Sequence, residues 1–130
     1  QKEPFRAAAR YVAREQGADA QGTLVVAFPD VGLLDWYFGR EGSPLRTDSQ
    51  AFGAEHLPAL QQRLDEARPR RVWYVVVYPP KRGPSPAILK ELARRMTQTD
   101  YQEWPHAAAK DAAWVRVWRF EAKAQAPEHP

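Results

Sequence analysis

Val72-Trp73-Tyr74-Val75-Val76-Val77-Tyr78 is the longest uninterrupted apolar run in the chain. β-Branched and aromatic residues suit a pleated, packed surface, and the run has the length of a strand, far short of the roughly 20 residues a membrane-spanning helix needs. With no polar alternation it predicts a strand covered on both faces, and hence the centre of a sheet. Upstream, Gly22 to Phe28 repeats the pattern between Gly and Pro and predicts a second such strand.

The intervening and flanking segments read as helices. Phe5, Ala8, Ala9 and Val12 fall at i, i+3, i+4 and i+7 within Pro4 to Gln16, one apolar helical face with Gly17 as its stop. Asp30 is placed to cap a short helix through Phe38, ended by Gly39. Leu57, Leu60, Leu64 and Ala67 keep helical spacing from Ala54 to Ala67, with Pro58 in the first turn, where its missing donor costs little, and Pro69 beyond the end. Ser85 reads as an N-cap with Pro86 at the first helical position, and Ile88, Leu89, Leu92 and Met96 as the buried face of that helix.

A short edge strand is expected around Leu45 to Thr47. Tyr101 to Trp104 and Ala113 to Glu121 predict two last strands, joined by a link too short for a parallel crossover and therefore antiparallel. Strands alternating with helices imply an α/β fold: a three-layer, Rossmann-like sandwich with a mainly parallel sheet of about five strands and an antiparallel C-terminal edge hairpin. Residues 1–121 form one domain on this reading, and 122–130 a flexible tail.

Composition narrows the classes of function. The 130 residues include 14 Arg and 5 Lys against 16 carboxylates, a formal charge of +3, with the basic residues scattered. A nucleic-acid partner is not expected, because such binders gather cations and stacking aromatics on one face, whereas these aromatics sit within strand-like runs. The chain has no cysteine, which removes disulfides, thiolate metal sites and a Cys nucleophile. It begins at Gln1 without a charged-then-apolar leader, as a processed product or a piece of a larger protein would.

No catalytic constellation is legible. The turn Pro29-Asp30-Val31-Gly32 puts a carboxylate where a dinucleotide fold needs a pyrophosphate, so no cofactor is expected. His56, His106 and His129 lack a second ligand at helical spacing, and no metal site is expected. Among Asp35, Asp65, Glu66, Asp100 and Glu103, the neighbours Asp65 and Glu66 point to different sides of a helix, so solvated surface is their expected role. Trp36 and Tyr37 have the look of a sugar-stacking platform, but aromatics at a helix end more often pack on the sheet, and core positions are expected.

Two basic features remain as candidate binding sites for a phosphate or an anionic head group. Lys2, Arg6, Arg10 and Arg14 recur every four residues as a ridge opposite Phe5 and Val12, and the alternative is an ordinary solvated face. Lys81 and Arg82 stand beside the Ser85 helix start, where free amides and the helix dipole favour an anion, and the alternative is an exposed Pro-rich loop.

Phe5-Arg6-Ala7-Ala8-Ala9-Arg10-Tyr11-Val12, Trp36-Tyr37-Phe38-Gly39, the central strand and Val115-Arg116-Val117-Trp118-Arg119-Phe120 together resemble the soluble domain after the last membrane span of bacterial glycosyltransferases of the family 39, protein O-mannosyltransferase-like type. The resemblance implies a non-catalytic accessory domain on the extracytoplasmic (periplasmic) face of the inner membrane. Its parent enzyme would use a polyprenyl-phosphate-linked sugar, with an active site in a membrane portion of the same polypeptide that is its main partner. It also implies that anionic lipid or the polyprenyl-phosphate head group lies within reach. A secreted interaction module, or a stand-alone small α/β enzyme or nucleotide-binding protein, is the alternative.

Overall fold

The structure is a computed structural model, and it describes residues 3–28, 32–51, 54–77, 85–104 and 115–123. In chain order these form α1 (Glu3–Gln16), β1 (Thr23–Phe28), α2 (Gly32–Arg40), β2 (Thr47–Ala51), a 3-10 turn (Ala54–His56), α3 (Leu57–Ala67), β3 (Arg71–Val77), α4 (Pro86–Arg95), β4 (Met96–Trp104) and β5 (Val115–Ala122). The five strands make one sheet in the order β2-β1-β3-β5-β4, with β3 at its centre.

The sheet is mixed. β1 runs parallel to β2 and to β3, whereas β5 runs antiparallel to β3 and to β4. Two of the four neighbouring pairs are therefore parallel, fewer than a mainly parallel sheet requires. The cause lies in β5, whose buried residues divide between the two cores: Val115 and Val117 enter one, Trp118 and Phe120 the other. A strand apolar on both faces belongs inside a sheet, so β5 inserts beside β3 and leaves the polar β4 at the edge.

Each face of the sheet carries two helices. Phe5, Ala8, Ala9 and Val12 of α1 and Leu34, Tyr37 and Phe38 of α2 pack on Val25, Ala27, Trp73, Val75, Val115 and Val117. Leu60 and Leu64 of α3 and Ile88 and Leu92 of α4 pack on Leu24, Val26, Val72, Tyr74, Val76, Trp118 and Phe120. The alternation of these strand residues between clusters is the period-two signature of a sheet covered on both sides. The chain steps one way from β1 to β2 through α2, and back from β2 to β3 through α3 on the opposite face, as crossovers of one hand require.

Several boundaries differ from expectation for local reasons. Helix α2 runs through Gly39 to Arg40, and Gly42 in the left-handed region, φ +73°, ends it: the Ser43 amide donates to Phe38 O and the Gly42 amide to Gly39 O. Strand β2 starts at Thr47, where the Leu45 to Thr47 expectation stopped. Met96 keeps its buried position but as the first residue of β4, which begins five residues before Tyr101 because α4 passes directly into extended backbone at φ −138°. Ala122 belongs to β5 rather than to the tail, and its amide donates to Arg70 O at 2.8 Å. The expected Asp30 cap lies outside the described residues.

Candidate functional site

Helix α1 is fixed along both flanks and open along its outer face. On the side facing β3, β5 and β4, Gln16 Oε1 accepts from Trp73 Nε1 at 2.9 Å, Arg119 pairs with Glu15 at 3.2 Å, and Tyr11 Oη donates to Asp100. On the side facing α2, Phe5 and Tyr37 stack with ring centroids 6.4 Å apart, and Arg10 Nε reaches Glu41 at 3.2 Å. These contacts on both flanks set the rotation of α1 on the sheet and turn its remaining face outward.

Arg6, Arg10 and Arg14 of the expected ridge are all exposed on that face. Arg10 is partly neutralised by Glu41, whereas neither Arg6 nor Arg14 makes an ion pair or hydrogen bond with a described residue. Arg14 lies in the last turn, where a cation also complements the helix dipole. Lys2, Lys81 and Arg82 lie outside the described residues. Ser85 is used by the fold: its Oγ accepts from the Ile88 amide at 3.3 Å, and its own amide donates to Tyr74 Oη at 3.3 Å. Burial pushes the Tyr74 phenol up to about 12, so it stays protonated across the physiological range.

The two aromatics beside this face part company. Tyr37 is buried against α1 as expected, but Trp36 is 54% exposed, the one large hydrophobic so exposed among the described residues. The Arg40 guanidinium lies 5.0 Å from the Trp36 ring centroid, one helical turn on. Spacing within α2 explains the split: Leu34, Tyr37 and Phe38 form the inward stripe, and position 36 falls opposite it. Exposure of Trp36 and its pairing with Arg40 were therefore accessible to helical periodicity, and the general preference of aromatics for cores concealed them.

The carboxylates considered earlier are taken up by structure rather than brought together. Asp35 Oδ1 accepts from the Thr47 amide at 2.6 Å and from its hydroxyl at 3.0 Å, which ties α2 to the edge strand. Asp65 pairs with Arg95 at 2.8 Å, Gln62 donates to Glu66, Tyr11 to Asp100 and Tyr101 Oη to Glu103. Burial, and then the hydrogen bond to Glu103, raise the Tyr101 phenol to about 12. His56 closes the 3-10 turn, while His106 and His129 lie outside the described residues. Among the described residues no three His, Asp or Glu side chains gather as a metal site, and no helix is long and apolar enough to cross a membrane.

In an open α/β sheet, ligands gather where the strand order reverses, at the carboxyl ends of the strands. Here that point lies between β1 and β3, beyond Phe28 and Val77, and the segments that follow, 29–31 and 78–84, fall outside the described residues. A polar hollow of about 330 Å³ lined by Gln16, Asp19, Thr23, Arg70 and Glu121 lies at the opposite, amino ends. Its Arg71 and Glu121 neutralise one another at 2.7 Å. No family model, curated protein or solved structure matches the chain.

Proposed function

We propose that this chain is a non-catalytic accessory domain that meets an anionic surface through α1. The observation that carries the reading is the outward ridge of Arg6, Arg10 and Arg14, in which two of three guanidinium groups have no described counter-charge. A cation held near an anionic membrane contributes about 1 kcal/mol, falling away beyond a Debye length of roughly 8 Å at physiological salt. Lipid phosphate and a polyprenyl-phosphate head group present the same anion to it.

The setting we propose is the extracytoplasmic face of a membrane glycosyltransferase of the family 39 type, supported by the sequence resemblance and by an order of elements compatible with a three-layer, Rossmann-like domain. In that setting the domain braces the membrane portion or positions donor or acceptor, and the bond-making groups reside in that portion. The coding sequence upstream of Gln1 tests the setting. Several apolar spans of about 20 residues agree with it, and a lone cleavable leader favours a secreted interaction module instead. Polyprenyl-phosphate-dependent transfer by the full-length enzyme should fall when this domain is deleted, and unchanged transfer would count against the positioning role.

A further inference from the structure

Helices α1 and α2 lie side by side on one face of the sheet, joined by the Phe5–Tyr37 stack and the Arg10–Glu41 pair. Because Phe5 meets Tyr37 and Arg10 meets Glu41, residues advance together along both helices, which therefore run in the same direction. Arg6 is one turn before Arg10 on the flank that borders α2, and Trp36 and Arg40 are one turn apart on the outward side of α2. The outer surface of this layer thus combines an exposed indole with a run of guanidinium groups.

The chemistry available on that surface separates two occupants. A sugar ring stacked on an indole also needs hydrogen-bonding groups at the ring's rim. The carboxylates flanking Trp36 in the chain are committed: Asp35 to the Thr47 amide and hydroxyl, and Glu41 to Arg10. What faces outward is Trp36, 54% exposed, with the Arg40 guanidinium against it. An amphipathic ring beside a cation is what the head-group layer of a bilayer accepts, the ring at the level of the glycerol backbone and the cation on phosphate.

We infer that the outer surface of the α1–α2 layer is a two-helix docking face for an anionic bilayer, in which the Trp36 indole enters the head-group region and Arg40 meets lipid phosphate beside it. This rests on the proposal that α1 meets an anionic surface, and it adds the depth and tilt at which the domain sits. A ridge of cations alone holds a domain near a membrane without fixing its orientation. One inserted ring on the neighbouring helix, with Arg6, Arg10 and Arg14 on the first, defines a plane.

The test uses the 130-residue chain with vesicles of phosphatidylcholine alone or mixed with phosphatidylglycerol, some carrying brominated acyl chains as short-range quenchers. Trp73 and Trp118 are buried and Trp104 is half-buried, so in a background with Trp104 and Trp114 replaced by Phe the bilayer-quenched signal should be lost on adding Trp36→Phe. Trp36→Ala should weaken partition into anionic vesicles on the order of tenfold, from the loss of its apolar surface. Arg40→Gln should weaken it about fivefold, as expected for one cation near an anionic surface. Melting curves like the parent's, expected at exposed positions, show that the variants are folded.

Salt-sensitive binding with Trp36 unquenched, and with Trp36→Ala equal to the parent, would overturn the inference while leaving the α1 ridge intact. Absence of parent binding to anionic vesicles would overturn both. A shift of Trp36 fluorescence with a soluble sugar phosphate, but none with vesicles, would make the face a sugar-phosphate site and likewise overturn the inference.

Discussion

Glu91 is a charged residue inside the α3–α4 layer, 7% exposed, and it is fully engaged. Arg94 and Arg95 each reach Glu91 Oε2 at 2.6 Å, and Gln61 of α3 donates to Oε1. The hydrogen bond from Arg94, helped by Arg95 and Gln61 against the cost of burial, lowers its carboxyl to about 2 from an ordinary 4.5. A carboxyl depressed in the folded state stabilises fully above its unfolded value and loses that contribution as pH falls through the folded one. Stability of the parent should therefore decline between about pH 4.5 and 2. Glu91→Gln should cost on the order of 2 kcal/mol at neutral pH and flatten that acid limb. Thermal melts of both proteins from pH 2 to 7 check this, and parallel pH profiles would assign the acid sensitivity elsewhere.

Arg68 is a second residue with a local consequence. It ends α3 in the left-handed region at φ 45° and ψ 57°, the one non-glycine residue with positive φ among the described residues, and its amide donates to Leu64 O. A side chain there costs roughly 1–2 kcal/mol in backbone energy, which glycine does not incur. Arg68→Gly should raise the melting temperature, because the exposed side chain makes no described contact to lose. A drop in melting temperature would mean that Arg68 serves a purpose other than ending the helix.

At the scale of elements, β3 and the start of α4 carry the sharpest expectations. Val75 is fully buried between Ala27 of β1 and Val117 of β5. An unpaired charge there costs several kcal/mol against a typical total of about 5–15, so Val75→Asp should unfold the domain. A Val75→Asp variant melting with the parent would contradict the central place of β3. Ser85→Ala should be milder, about 1 kcal/mol, through loss of the hydrogen bond from the Ile88 amide.

Both elements were legible in the sequence for the reasons that make them sensitive. The unbroken apolar run from Val72 can be buried only on both faces, and Ser85-Pro86 pairs a cap acceptor with a residue that has no amide to satisfy. The position of β5 was less legible because Arg116 and Arg119 interrupt its apolar pattern. Both accommodate burial: Arg119 lies 5.5 Å from the Trp73 ring and pairs with Glu15, and the partly buried Arg116 is likewise engaged. The start of β4 was hidden because Met96-Thr97-Gln98-Thr99 has the polarity of a loop, which an edge strand tolerates.

For the whole molecule, the described cations divide between countered and open positions. Away from α1, Arg63 is countered by Asp48, Arg71 by Glu121, Arg94 and Arg95 by Glu91, and Arg119 by Glu15, whereas Arg46, Arg68, Arg70 and Lys90 have no ion pair with a described residue. The outer surface of α1 gathers Arg6 and Arg14, neither paired with a described residue, on one face with Arg10, and its period of four was plain in the sequence. What periodicity could not supply was the neighbour. That α2 lies alongside with Trp36 and Arg40 depends on how the chain crosses the sheet, a non-local outcome of the β2-β1-β3 order.

Flotation of the parent and of the Arg6→Gln, Arg10→Gln, Arg14→Gln triple variant with anionic vesicles, at low and at high salt, decides whether the α1 ridge meets an anionic surface. The parent should bind weakly, with binding that fades with salt as screening shortens the reach of its charges, and the triple variant should lose most of that binding while melting like the parent. Equal binding by parent and triple variant, or none by either, would contradict this expectation and leave the ridge an ordinary solvated face.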